Sequence, residues 1–177
     1  MGTRQTLANL EIQLADNTSG AITPETIRDL LATLNPANGS LFENVAAPTT
    51  IAVAGTYVKA AGTTTAGELL DMSMPADNRL QYDGVVEAHL HCAITVSFVS
   101  AGNNQVIGLA AYLNGALIPG SIVRHKLGGG GDVSAIALHT DVDVVAGDFI
   151  ELWLTNETGT ATVTIEQLYM SAFTLPH

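Results

Sequence analysis

From Ala88 onward, alternate positions form an unbroken apolar row: Ala88, Leu90, Cys92, Ile94, Val96 and Phe98. Between them lie Glu87, His89, His91, Ala93, Thr95, Ser97 and Val99. A period of two with β-branched and aromatic residues predicts a half-buried β-strand. Successive side chains of a strand point to opposite faces, so Cys92 points away from His89 and His91, and the three cannot chelate one ion together.

The same pattern recurs from Thr49 to the C-terminus. "TTIAVAGTYVKA" reads as a strand and "GTTTAG" as a Gly/Thr turn. Further strands are expected at "ELLDMSMP", "NRLQYDG", "QVIGLAAYLNG", "ALIPGSIVRHKL", "DVSAIALHTDVDV", "DFIELWLTNETG" and "TATVTIEQLYMSAFTL". Turn signals separate them at Asp77-Asn78, Gly102-Asn103, Asn114-Gly115, Ala146-Gly147 and Thr158-Gly159. Asn114-Gly115 is the strongest hairpin signal, because both central residues of a type I′ turn need positive φ. Pro119 is expected at an edge or bulge, where no ladder donor is required. Many strands with no helices between them predict an antiparallel sandwich or barrel.

Several of these strands are apolar on both faces. In "VIGLAAYL", Ile107, Leu109, Ala111 and Leu113 oppose Val106, Ala110 and Tyr112; in "FIELWL", Ile150, Leu152 and Leu154 oppose Phe149 and Trp153; in "LYMSAF", Leu168, Met170 and Ala172 oppose Tyr169 and Phe173. A monomeric sandwich leaves one face of each sheet polar, so a second apolar face needs a second cover. Self-association is therefore expected, with a threefold arrangement as the leading form. Tyr112, Trp153, Leu168, Met170 and Ala172 are assigned to the oligomer interface.

Residues 1–48 read differently. Thr23 is an N-cap candidate, Pro24 fits the first helical position, and Ile27, Leu30, Leu31 and Leu34 make one apolar stripe that ends at Asn35-Pro36. So short a helix does not hold alone in water, and the stripe must dock either on its own domain or on a partner. Ile22, Ile27, Leu30, Leu31 and Leu34 are the attachment candidates. The expected division is an extension over 1–48 and a β-domain over 49–177.

Composition narrows the function classes. The 177 residues carry 17 Asp and Glu against 6 Lys and Arg, a net charge of −11, with 47% hydrophobic residues. Such a chain buries a core, and its charge argues against binding nucleic-acid phosphates or anionic membranes. A single cysteine excludes an intramolecular disulfide. No apolar run of about 18 residues is present, so no membrane-spanning helix is expected, and no leader is visible behind a basic start.

Candidate chemistry is sparse. His89 and His91 share a strand face, but a metal centre wants further oriented ligands, and His125 and His139 are not locally arranged with them. Asp141, Asp143 and Asp148 do not follow a calcium-loop spacing. The run Gly128 to Gly131 is followed by a strand, not by a helix N-terminus, so it reads as an inter-strand loop and not a phosphate loop. No nucleophile elbow is present, Cys92 points into the core row, and no carboxylate pair is singled out. No enzyme activity, metal or cofactor is expected.

"NRLQYDG", "SAGNNQVIGLAAYLNGALIPGS" and "VVAGDFIELWLTNETGTATVTIEQLYMSAF" resemble, in this order, the jelly-roll modules of tailed-phage virion proteins. These are similar in plan to the trimeric tumour-necrosis-factor and complement globular-head fold. The likeness runs from about Thr49 to Leu175, and "ITPETIRDLLATL" resembles short segments of phage fibre and appendage proteins. The resemblance implies an all-β antiparallel jelly-roll sandwich with a short N-terminal helix and an extended N-terminal segment. It implies a homotrimeric capsid decoration or cement protein, made in the host cytoplasm and located on the virion surface, whose partners are itself and the major capsid protein. The alternative is a receptor-binding or tail-appendage head that touches host glycans through the loops near Gly128–Asp132 and Asn103–Asn104.

Overall fold

The computed structural model describes residues 22–27, 30 and 36–175. It holds two antiparallel sheets packed face to face. Sheet A contains β1 (Asn38–Ala46), β2 (Pro48–Thr49), β4 (Gly62–Leu70), β7 (Ala88–Ser100), β11 (Ser134–Val144) and β13 (Val163–Leu175). Its order is β11-β7-β13-β1-β4, with β2 also paired to β13. Sheet B contains β3 (Val58–Lys59), β5 (Met72–Ser73), β6 (Leu80–Tyr82), β8 (Gln105–Leu113), β9 (Ala116–Leu117), β10 (Val123–Leu127) and β12 (Phe149–Asn156). Its order is β10-β8-β12-β6-β5, with β3 on β12 and β9 on β8. Long strands alternate between the sheets and pair with non-consecutive neighbours, which is the jelly-roll plan.

The apolar row of β7 faces inward as its alternation predicts. Leu90, Cys92, Ile94, Val96 and Phe98 meet Ile107, Leu109 and Ala111 of β8 and Ile150, Leu152 and Leu154 of β12. Each large aliphatic or aromatic side chain buried this way stabilises the sandwich by about 1.5–3 kcal/mol. Burial pushes the Cys92 thiol up to about 12, so it stays a neutral core group.

The Asn114-Gly115 hairpin forms as expected, with φ of 52° and 78°. Asp77-Asn78, Ala146-Gly147 and the glycine run after β10 are inter-strand turns and loops. Pro119 lies in the turn beyond β9.

Four expectations need correction. First, β1 pairs with both β13 and β4, so the sandwich begins at Asn38 and not at Thr49. Second, "GTTTAG" is not a turn: it lies in β4, where its β-branched threonines pair with Phe42, Glu43 and Val45 of β1. Third, most of "TTIAVAGTYVKA" is not a strand. It crosses from β2 in sheet A to β3 in sheet B, turning at Gly55 with φ 79°.

The fourth correction concerns β13. A register shift between Ile165 and Gln167 inserts an extra residue against β7. Such a bulge reverses which alternate positions face inward. Val163 and Ile165 are buried before it, and Leu168, Met170 and Ala172 after it. These three assigned interface positions therefore belong to the core of their own chain, and Tyr169 and Phe173 face outward.

At the N-terminal end, residues 24–27 and 30 are helical. The Thr23 hydroxyl accepts a hydrogen bond from the Thr26 amide at 3.2 Å, which is the expected cap. Ile27 is exposed, whereas Ile22 and Leu30 are half-buried. Leu31 and Leu34 lie outside the described residues, as do residues 1–21.

Candidate functional site: two outer sheet faces

With the inner faces closed on each other, chemistry is left to the two outer faces and the connecting loops. On sheet B, the outer face is built from β12, β8 and β3. Trp153 stacks on Tyr112, with ring centroids 4.3 Å apart and planes at 8°. Tyr112 in turn touches Tyr57 at 6.0 Å. The Arg79 guanidinium sits 3.7 Å from the Phe149 ring centroid. Gly108 lets this layer close down: a Cβ there would meet the Tyr57 hydroxyl oxygen at 2.5 Å.

Glu151 lies beneath that layer at 2% exposure. Its Oε1 accepts from Lys59 Nζ at 2.7 Å and Arg79 Nε at 2.9 Å, and its Oε2 accepts from Trp153 Nε1 at 3.1 Å. Burial alone pushes this carboxyl up, but the bonds from Lys59, Trp153 and Arg79 outweigh it and hold the group below the usual carboxylate range. Tyr112 and Trp153, assigned from sequence to an oligomer interface, lie on this outer face. They are half-buried and already partnered by their own chain.

Sheet A presents a different outer face. Strand register aligns Ala137, Thr95, Tyr169 and Phe42 in one cross-sheet row, and His139, Ala93, Ser171 and Ser40 in the next. Phe42, Tyr169 and Phe173 are 42%, 51% and 42% exposed. Small side chains surround Phe42 and Tyr169, and a shallow depression opens between Phe42, Tyr169, Gln167, Ser97 and Ala135.

The same face ends in a histidine–aspartate cluster. Asp143 pairs with His89 at 2.7 Å, and Asp141 with His91 at 2.6 Å, both through the imidazole Nδ1. His91 Nε2 lies 3.2 Å from Nδ1 of His139, and its ring also rests against Phe173. The sequence placed His89 and His91 on one face. It held no sign of His139 joining them, because that requires β11 to lie beside β7.

The loops near Asn103–Asn104 and Gly128–Asp132 come together at one end. The Gly130 amide donates to Asn103 Oδ1 at 2.5 Å, and the Asn104 amide to the Gly128 carbonyl at 2.9 Å. No helix among the described residues is long and apolar enough to cross a membrane.

No protein-family model matches this chain. No curated protein matches it either. Solved structures do. Murine APRIL at pH 5.0 superposes with a TM-score of 0.54 at 8% identity, over 78% of this chain and 99% of that one. Its pH 8.5 structure gives 0.51 at 6% identity, over 80% and 100%. The PRD1 vertex protein P5 gives 0.46 at 12% identity, over 79% and 97%. The APRIL superpositions show the fold of this chain, an antiparallel jelly-roll sandwich.

Proposed function

We propose that this chain is a homotrimeric structural protein of a phage virion, a capsid decoration or cement protein, that self-associates through the outer face of sheet A. The observation that carries this reading is the exposed aromatic set Phe42, Tyr169 and Phe173 on a face of small side chains. Such a face matches a patch awaiting a second protein surface. The order of jelly-roll motifs along the sequence supports the virion setting. A cement role needs buried area and no chemistry, and three linked attachment points multiply weak contacts through effective concentration. In this reading the N-terminal segment, with Ile22, Ile27, Leu30, Leu31 and Leu34, holds the shell.

The experiment compares the full chain with a chain lacking residues 1–35, a cut that spares β1. The shortened chain should sediment as the same oligomer and no longer bind capsids. A full-length chain that sediments as a monomer at micromolar concentration, or a shortened one that still coats capsids, would overturn the proposal.

The alternative, a receptor-binding head, draws on the joined loops at Asn103 and Gly130. It requires that changes in those loops abolish host attachment and leave capsid stability untouched.

A further inference from the structure

We propose that His91 and His139 form a two-nitrogen chelating site for a borderline divalent transition metal such as Zn²⁺, Ni²⁺ or Co²⁺ on the outer face of sheet A. The site lies on the face assigned above to self-association, beside Phe173, but its test reads metal binding and not assembly. It rests on the placement of two imidazoles by adjacent strands. His91 stands on β7 and His139 on β11, and their Nε2 and Nδ1 atoms are 3.2 Å apart. Two metal–nitrogen bonds of about 2.0–2.1 Å to atoms at that separation subtend about 100–105°, near the tetrahedral angle.

A chelating imidazole needs its free lone pair held toward the metal. Asp141 supplies that at His91: its Oδ1 accepts from Nδ1–H at 2.6 Å, which leaves Nε2 unprotonated and fixes the ring. Phe173 flanks the same ring at 5.2 Å between centroids. Without metal, His139 Nδ1–H donates to His91 Nε2. With metal, Nδ1 becomes a ligand and the proton moves to Nε2 of His139, which lies in an exposed side chain.

The donor set selects the ion class. Two imidazoles with no thiolate suit zinc, nickel, cobalt or copper over calcium or magnesium, which prefer several oxygens. Among the described residues no group of three His, Cys, Asp or Glu converges on one point. With two protein donors, affinity in the micromolar range is expected. His89, held by Asp143, and His125, on sheet B, stand outside the pair.

The test is a calorimetric titration of the chelator-stripped full chain with zinc chloride and nickel chloride at pH 7.5. One ion per chain is expected. His91→Ala and His139→Ala should each weaken binding at least tenfold, and Asp141→Asn by about tenfold or more, because it loosens the ring that Asp141 orients. His89→Ala and His125→Ala should leave it unchanged, with circular dichroism confirming that every variant keeps its strands. The cobalt form should show visible absorption bands that vanish in His91→Ala. Absence of binding, or binding retained in both His91→Ala and His139→Ala, would overturn the site.

Discussion

Both outer faces of this sandwich carry aromatic side chains, and they hold them in different ways. On sheet B, Trp153, Tyr112 and Tyr57 lean on one another, Arg79 covers Phe149, and Glu151 anchors the layer from below. On sheet A, Phe42 and Tyr169 stand among alanines, serines and threonines, Phe173 rests against only the edge of the histidine cluster, and all three keep much of their surface in water. One face is finished by its own chain and the other is not. An apolar residue on an outward position therefore does not by itself mark an interface; what matters is whether neighbouring side chains have already covered it.

Two carboxylates that burial desolvates differ in the same way. Glu151 receives three hydrogen bonds. Glu43 of β1 has a buried Oε1 with no hydrogen-bond partner among the described residues. Burial, with the Asp77 carboxylate nearby, pushes its carboxyl up to about 7.

The largest effect that would break the comparison is expected from Phe42→Ser, Tyr169→Ser and Phe173→Ser combined. If each aromatic contributes about 1.5 kcal/mol or more to association, the dissociation constant should rise about a thousandfold. Equilibrium sedimentation reads this directly, and the monomer should keep its strands and its melting transition. Unchanged association would show that sheet A is as finished as sheet B.

Next in size is Glu151→Ala. It strips Lys59, Arg79 and the Trp153 indole N–H of their shared acceptor. Because the Lys59 and Arg79 side chains are 31% exposed, the loss should fall below that of a fully buried pair, at about 2–3 kcal/mol in urea unfolding. A loss under about 0.5 kcal/mol would mean that sheet B does not depend on its anchor.

The smallest effect concerns pH. The Glu43 carboxyl is raised in the fold from 4.5 to about 7, so the folded chain holds that proton more tightly than the unfolded chain. Its destabilising contribution is absent below the unfolded value, grows as pH rises through this window, and is complete above about 7. Glu43→Gln should therefore raise the melting temperature at pH 8, leave it nearly unchanged at pH 4, and flatten the dependence between. Parallel melting curves for both chains across the range would remove the contrast between the two carboxylates.

The alternation along β7, the Asn114-Gly115 hairpin and the inward placement of Cys92 were all legible in the residues. Each depends on a local rule: the two-residue strand period, or the positive φ of a tight turn. The segment 38–48 was not recognised as part of the sandwich, since Asn38, Gly39 and Ser40 carry no apolar alternation. They are strand residues because β13 and β4 flank them. The His91–His139 pair was equally invisible, being separated in sequence and joined only by strand register.

The amino-acid sequence by itself determined an all-β antiparallel chain with a large apolar core, because side-chain period and turn chemistry act over a few residues. Tertiary structure alone decided which face of β13 looks outward. The bulge between Ile165 and Gln167 exists only against β7, and it sends Leu168, Met170 and Ala172 inward while leaving Tyr169 and Phe173 in solvent. Burial of an outward aromatic depends likewise on neighbours brought from distant strands, so only the folded sheets distinguish the covered face from the open one.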